Sequence, residues 1–340
     1  MNYVRFGNTG IQLSELCLGT WMFGTQRGGR EVVDRTQAHQ VLDAAWERGI
    51  NFIDTANVYG SGRSESYIGE WLTDKEREDF VLASKVFFAT RGRQEAGLSR
   101  KIILAEADAT LDRLNTDYVD IYYIHGWHEA FSLMEALSAL NDLVRAGKVH
   151  YIGVSNFTAW QLVKSQWICD ARGWEAVSVI QPRFNAADHV PYTVDPGELP
   201  LPDLFDACRD LGIAVCPYSP LAEGFLTGKY RRGADGQATI PEDSRAESSE
   251  RMGPFPDRWW RVLDAVEEVA EELGAVASQV ALRWTMMIEG LTSIPILGGR
   301  SVSQLEENLG ALDLSLTPQQ NERIRTAGAP DGSSPYSYTA

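Results

Sequence analysis

Asp54, Tyr59, Lys85 and His125 are the residues whose types and spacing in this 340-residue chain speak for chemistry. Asp54 ends an apolar run with Phe52 and Ile53, and Tyr59 follows five residues later in the loop that leaves it. A carboxylate at the end of a buried strand needs a partner, because desolvation without one costs several kcal/mol or raises its pKa until it neutralises. Lys85 is the natural partner. Lysines are few, at Lys75, Lys85, Lys101, Lys148, Lys164 and Lys229, and Lys85 closes the apolar run 80–85. An ammonium buried there stays charged only beside a carboxylate such as Asp54, whether the pair serves chemistry or structure alone. His125, Ser155, Asn156, Gln181, Tyr218 and Ser219 each end or follow a further apolar run. A metal site at His125, His128 and Glu129 is not expected, since Gly126 and the preceding run make this a strand-to-loop junction and the other histidines form no second cluster.

Residues so far apart in sequence converge only if the elements carrying them are arranged alike. The runs 16–21, 51–56, 80–85, 119–125, 151–156, 177–181, 213–219 and 291–297 are near-continuously apolar, as strands covered on both faces must be. Helical stripes lie between them. Ala38, Val41, Leu42 and Ala45 precede Gly49, and Leu133, Leu137, Leu140 and Val144 precede Gly147. Leu162 and Val163 precede Gly173, Leu204, Phe205, Cys208 and Leu211 precede Gly212, and Val262, Val266, Val269 and Leu273 precede Gly274. Ser132 with Glu135 and Thr158 with Gln161 have the spacing of capping boxes. Eight strand-helix units point to a closed (β/α)8 TIM barrel in a single α/β domain over 1–340, whose C-terminal strand ends share one face. A doubly wound open sheet is the lesser alternative, because the first strand-helix turn lacks Gly-x-Gly-x-x-Gly. The alternation of 3–6 and 11–14 across Gly7 and Gly10 predicts an N-terminal β-hairpin. Two long polar stretches, 186–202 and 223–256, leave C-terminal strand ends and are expected to lie over the barrel mouth.

Composition narrows the partners. At 44% hydrophobic and 23% charged the chain can bury a large core, and a net charge of −16 argues against nucleic acid or an anionic membrane surface. Cys17, Cys169, Cys208 and Cys216 show no C-x-x-C spacing and read as buried thiols in a reducing compartment. No leader-like or membrane-spanning apolar stretch is present, so a cytoplasmic location is expected.

The motifs, in their order, carry a resemblance. Asp-Thr-Ala-Asn-Val-Tyr-Gly at 54–60, Ser-Lys-Val at 84–86, His125, Gly-Val-Ser-Asn at 153–156, Tyr-Ser-Pro-Leu-Ala at 218–222, Leu-Thr-Gly-Lys-Tyr at 226–230 and Gln-Leu-Glu-Glu-Asn at 304–308 together resemble the aldo-keto reductases. The similarity spans nearly the whole chain and is strongest to the branch with bacterial reductases and potassium-channel beta subunits. It implies a barrel that binds NADPH, with NADH as the alternative, and reduces a small-molecule aldehyde or ketone, a sugar or other polar metabolite among the candidates. It also implies Tyr59 as proton donor, tuned by Lys85 and Asp54, and His125 as a second donor orienting the carbonyl. The ammonium is expected to lower the phenol pKa from about 10 toward the working range.

The resemblance further implies that Ser155, Asn156 and Gln181 hold the nicotinamide carboxamide and that Tyr218 stacks on its ring. Ser219, Leu221, Gly224 and Lys229 match the pyrophosphate side, and Arg300, Gln304, Glu307 and Asn308 the adenosine end. Gly19, Thr20, Trp21, Pro220, Gly298 and Asp54 itself complete the implied cofactor set. Trp21, Tyr59, Phe87, His125 and Trp127 form the implied substrate side, and Phe23, Phe88 and Phe225 are further aromatic candidates. Two departures stand out: Gly126-Trp127-His128 replaces the Arg-Pro-Asp or Trp-Trp-Asp of many relatives, and Gln304 stands where several members place an arginine for the 2′-phosphate. A cofactor-sensing binding subunit is the competing function and would bring a docking surface and an N-terminal extension. The chain starts at its hairpin, so the enzyme is placed first. A metal-dependent barrel hydrolase is the third and least favoured class. Oligomeric state is open.

Overall fold

The computed structural model describes residues 1–89, 96–188, 203–233, 238–241, 244 and 255–328. Eight parallel strands make one sheet: β1 (Cys17–Gly19), β2 (Phe52–Asp54), β3 (Val81–Val86), β4 (Val119–Ile124), β5 (Val149–Ser155), β6 (Val177–Gln181), β7 (Ala214–Val215) and β8 (Ile296–Gly298). Neighbours in the sheet are neighbours in sequence, with β8 beside β1. The sheet closes where Val215 bridges Ser293 in parallel, with the Val215 amide donating to Thr292 O at 3.0 Å and the Ile296 amide to Pro217 O at 2.8 Å. This is the expected (β/α)8 barrel.

Helices α1 (Arg35–Glu47), α2 (Arg63–Leu72), α3 (Arg100–Leu114), α4 (Leu133–Arg145), α5 (Ala159–Arg172), α6 (Asp203–Leu211), α7 (Asp257–Leu273), α8 (Ala277–Met286), α9 (Val302–Leu309) and α10 (Pro318–Ala327) complete the main elements. Helices α2, α3, α8, α9 and α10 have no counterpart among the stripes read from the sequence. Thr158 and Gln161 close the full capping box that their spacing implies. At Ser132 only half of the expected box forms, because the Glu135 carboxylate accepts from the Arg100 amide at 2.9 Å instead. None of the described helices is long and apolar enough to cross a membrane.

The described chain divides into two compact units. Unit 1, comprising Met1–Arg183, Pro191–Tyr218 and Ile288–Glu306, contains all eight barrel strands. Its interior is built from alternate strand residues, among them Cys17, Phe52, Ala83, Tyr123, Val179, Cys216 and Ile296, with Phe6 and Leu13 of the hairpin. The hairpin pairs Tyr3–Arg5 with Gln12–Ser14, and the Asn8 amide bonds Gly212 O at 3.0 Å, just ahead of β7. Side chains alternate along a strand, so residues two positions beyond the core layer share its inward direction. Asp54, Lys85, His125, Gln181 and Tyr218 each stand two positions after Phe52, Ala83, Tyr123, Val179 and Cys216. All four cysteines are buried and unbridged.

Unit 2, comprising Phe184–Val190, Ser219–Met287 and Glu307–Ala340, holds α7, α8 and α10. Phe225 lies in a ring cluster with Tyr230, Phe255, Trp259 and Trp260. Much of the stretches 186–202 and 223–256, expected over the barrel mouth, lies outside the described residues.

Gly153 on β5 is the glycine on which the interior depends, since a Cβ there would come 2.4 Å from the Tyr123 ring and 2.9 Å from Val179. Gly153→Val is expected to destabilise the fold by about 1 to 3 kcal/mol through overpacking, read as a lower urea midpoint with an unchanged slope.

Candidate active site

The Lys85 ammonium is completely buried and spends its three donors on three oxygens. It bonds Asp54 Oδ1 at 2.5 Å, Thr55 O at 2.8 Å and the Tyr59 hydroxyl at 3.1 Å. The other Asp54 oxygen accepts from Gln181 Nε2 at 2.9 Å, so both carboxylate oxygens are engaged. The strand register explains the meeting. Asp54 on β2 is paired with Ala83 on β3, which brings Lys85, two residues further along β3, to the loop carrying Thr55 and Tyr59. The charge pair expected from sequence is present and fully withdrawn from water.

Tyr59 Oη accepts from the ammonium, which leaves its own proton free to be given. The His125 ring stands edge-on to Tyr59, centroids 5.9 Å apart, and its Nδ1 is buried with no hydrogen-bond partner among the described residues. Burial, and then the Lys85 charge, hold His125 well below the usual imidazole range, so it is neutral at pH 7. Burial pulls Lys85 down, but Asp54 and then Tyr59 outweigh it and leave the ammonium raised. Burial pushes Asp54 up, against Lys85 and Gln181. The expectation that the ammonium brings the Tyr59 pKa from about 10 toward the working range is corrected. Burial raises the phenol, Lys85 lowers it by less, and Asp54 adds to the rise. Tyr59 is therefore a protonated phenol through the neutral range.

Several of the other residues singled out by sequence meet in unit 1. Ser155 Oγ donates to Gln181 O at 2.9 Å, and Tyr218 donates its hydroxyl to Asn156 Oδ1 at 2.8 Å. Asn156 adopts φ 60° and ties back through Nδ2 to His125 O at 3.0 Å. Thr20 is buried and binds Asp54 O through both its amide and its hydroxyl, so it braces the strand end. A Cβ on Gly19 would come 2.5 Å from Ile296. Trp21 is 38% exposed. Gln304 turns Oε1 back to the Arg300 amide at 3.1 Å, and the Cβ position of nearby Gly298 is open.

Unit 2 contains Ser219, Pro220, Leu221, Gly224, Lys229, Glu307 and Asn308 of the expected residues, whereas Phe87, Phe88 and Trp127 lie in unit 1. In 219–224, Ser219, Ala222, Glu223 and Gly224 all have positive φ, and the Gly224 amide bonds Leu221 O at 2.9 Å, just after Pro220. Lys229 Nζ lies 2.8 Å from where a Gly224 Cβ would be. The Glu307 carboxylate accepts from Ser278 at 3.4 Å, and Asn308 is buried. Among the aromatic candidates Phe23 and Phe225 are fully buried core residues.

The sequence model of the aldo/keto reductase family matches residues 15–329. The chain belongs to the aldo/keto reductase family. Relatives include an oxidoreductase, YrpG, of Bacillus subtilis (strain 168), 33% identical over 99% of this chain and 99% of its own length. Norsolorinic acid reductase B of Aspergillus parasiticus is 34% identical over 96% of this chain and 84% of its own. A probable voltage-gated potassium channel subunit beta of Arabidopsis thaliana is 32% identical over 99% of this chain and all of its own. Membership makes the chain an oxidoreductase of a family that reduces carbonyl groups with a nicotinamide cofactor.

Sequence reasoning missed the polar layer behind this aldo/keto reductase site. Asn57 Nδ2 bonds Glu106 on α3 at 2.9 Å and Phe88 O at 3.3 Å, tying the loop that carries Tyr59 to the exit of β3. Glu65 on α2 is fully buried, takes Ser84 Oγ at 2.5 Å and receives Arg113 Nε at 2.6 Å. The signal was a carboxylate on an apolar helix face: Glu106 sits among Ile103, Ala107, Thr110 and Leu111. Arg113→Met is expected to cost about 3 to 5 kcal/mol by stranding the buried Glu65 carboxylate. Burial already raises Glu65, so losing Arg113 raises it further, and the cost shrinks as falling pH lets the carboxyl protonate. Urea unfolding at pH 8 and pH 5 checks this, with the larger deficit expected at pH 8.

Proposed function

We propose that this aldo/keto reductase reduces an aldehyde or ketone with Tyr59 as the proton donor, and that NADPH is the preferred cofactor. The arrangement that carries the reading is Lys85, whose donors are all committed and which holds the Tyr59 oxygen at 3.1 Å while leaving the phenol proton free. A reduced nicotinamide, when bound, supplies the hydride. As negative charge grows on the carbonyl oxygen, Tyr59 gives its proton to that oxygen and the Lys85 ammonium steadies the phenolate left behind. Asp54 and Gln181 hold Lys85 in place, and neutral His125 hydrogen-bonds and orients the carbonyl.

Several features support a cofactor fit in this chain. Gln181 presents a buried amide against Asp54, Ser155 bonds the Gln181 carbonyl, and the Tyr218 ring is tethered through its hydroxyl to Asn156. The left-handed residues Ser219, Ala222, Glu223 and Gly224, with Lys229 against Gly224, suit a pyrophosphate. Arg300 is assigned to the 2′-phosphate, and Gln304, whose oxygen is engaged, contributes only its Nε2. Membership of 1–340 in one domain is likewise a proposal, supported by the interleaving of the two units along the chain. Cytoplasmic location belongs to the same reading. The channel beta subunit among the relatives keeps a cofactor-sensing role as the second reading.

Tyr59→Phe is expected to cut the single-turnover reduction rate by about 10² to 10⁴ while cofactor affinity changes little. Lys85→Met should lose much of the same rate, and the double variant should fall far short of additive. In the parent the rate is expected to be flat from about pH 6 to about pH 9 and to fall as pH rises through the raised Tyr59 pKa, above about 10. His125 adds no step near neutrality, since it is already neutral there. A Tyr59→Phe rate within a factor of a few of the parent overturns the assignment.

Cofactor preference is tested separately. Arg300→Ala should weaken NADPH about tenfold or more and NADH hardly at all, measured as dissociation constants by fluorescence titration. Equal weakening of the two, or a parent that prefers NADH, removes Arg300 from the role.

A further inference from the structure

We propose that Arg63 is a positioning residue for the reduction, a clamp that holds the turn after Tyr59 against the neighbouring chain and so keeps the phenol on Lys85. This rests on the carbonyl-reductase reading with Tyr59 as proton donor and deepens it. Two of the three oxygens on the Lys85 ammonium, Asp54 Oδ1 and Thr55 O, belong to the end of β2 and the residue after it, where sheet register fixes them. The third, Tyr59 Oη, lies at 3.1 Å and arrives on a loop, so its position depends on what anchors that loop beyond the tyrosine.

Arg63 is the anchor on that side. Its amide donates to the carbonyls of Tyr59 and Gly60, and its guanidinium donates through Nε and Nη2 to Gly24 O at 2.9 and 2.6 Å. One residue thus joins the Tyr59 backbone to the turn 20–24. That turn is itself fixed: Phe23 is completely buried, its amide bonds Thr20 O at 3.0 Å, and the Gly24 amide bonds Val33 O at 2.8 Å. Glu31 meets Arg63 Nε at 3.4 Å and accepts from the Tyr67 hydroxyl at 2.9 Å, which steadies the guanidinium. The fit is close, since a Cβ on Gly60 would stand 2.6 Å from Phe23 O.

Helix stability does not account for this arrangement. Arg63 opens α2, where a cation opposes the helix dipole. Gly62 before it gives the helix no side-chain cap. Ser61, an exposed residue, holds φ 58° with left-handed Gly60 and Gly62 on either side. Each of these works against stability, and a strained, uncapped turn immediately after a proton donor persists where the surrounding contacts over-determine it. The guanidinium supplies such a contact as two charge-assisted bonds to one oxygen, which a neutral side chain of the same length cannot make.

The test reads hydride transfer in a single turnover of the full chain, with enzyme-bound NADPH mixed with 4-nitrobenzaldehyde, an electron-poor aldehyde chosen for its reactivity. Arg63→Met is expected to slow that step about 10- to 100-fold, since misplacing a reacting group by about 1 Å costs about 10² in rate. Its NADPH dissociation constant should stay within about twofold of the parent. Arg63→Lys keeps the charge and a single donor, so its rate should fall between the two, and it carries the same comparison if Arg63→Met does not fold. The deciding arm is the Tyr59→Phe background, where Arg63→Met should change the residual rate by less than about twofold, because no phenol is left to position. A purely structural arginine would lower the urea midpoint and leave the rate of the folded protein unchanged. An Arg63→Met rate within about twofold of the parent, or an equal loss in both backgrounds, overturns the clamp and leaves the Tyr59 assignment standing. A Tyr59→Phe rate near that of the parent overturns the donor assignment and the clamp with it. No oxidation of NADPH or NADH by the parent with this aldehyde or a wider carbonyl panel overturns the reductase reading and the clamp together.

Discussion

An ammonium without water is the constraint around which unit 1 is built. Lys85 has no exposed surface, and a lone charge in that position would cost several kcal/mol or be lost by deprotonation. It keeps its proton because three oxygens surround it, one of them a carboxylate. Those oxygens come from β2 and the loop that follows it, and the lysine from β3. The pairing of Asp54 with Ala83 thus fixes the chemistry as well as the sheet. A one-residue slip would turn Lys85 and the core residue Ala83 to the helix-covered face together. Barrel register and site geometry are one specification, enforced by the same alternation.

The second shell of polar groups follows from that demand. The loop 55–59 must hold a tyrosine oxygen at hydrogen-bond distance from a fixed ammonium, and loops lack a ladder of their own. Asn57 supplies a link to Glu106 and to Phe88 O, while Thr55 Oγ1 meets Ser64 Oγ at 2.8 Å and Ser64 meets Thr20 at 2.7 Å. Buried polar contacts of this kind contribute little net stability compared with apolar packing of equal volume. Their effect is to favour one arrangement of the loop over the others open to it. The loop's geometry is thereby coupled to α2 and α3, which touch no reacting atom.

What the sequence made legible follows the physics of each element. Strands covered on both faces are near-continuously apolar, so all eight runs could be seen, and Asp54, Lys85, His125 and Gln181 stand out as polar residues at the ends of theirs. Gly153 was visible within a motif, but only the Tyr123 ring beside it explains why no side chain fits. Helices α2 and α3 were not separable, because Glu65 and Glu106 interrupt their apolar faces and look like solvent-facing residues until Arg113 and Asn57 are found against them. The direction of the Tyr59 pKa was misjudged for a related reason. Charges can be counted from a sequence, whereas burial is a property of the assembled interior, and here burial outweighs the neighbouring ammonium. The division into two compact units has no compositional mark either, since each unit draws on separated stretches of chain.

Backbone strain gives an independent view of where the fold is committed to more than stability. Among the described residues the non-glycine positions with positive φ are Ser61, Asn115, Asn156, Ser219, Ala222 and Glu223. Asn115 ends α3, where a left-handed asparagine is an ordinary helix stop. The others follow strand ends and loops, and Ala222 has no side-chain hydrogen bond with which to compensate. Left-handed geometry costs a non-glycine residue of order 1 kcal/mol or more and persists only where neighbours leave no alternative. For Asn156 the neighbours are His125 O, Ser155 Oγ and the Tyr218 hydroxyl, all bonded to its side-chain amide. For the run that begins at Ser219 they are Asn185, which holds Ser219 O at 3.0 Å, and the ring cluster that fixes Phe225. Strain maintained by such separate devices leaves each stretch a single backbone path, which an extended loop of the same length would not have. Residues with no catalytic group thus keep conformations that cost free energy, because the contacts that fix them are already made by their neighbours.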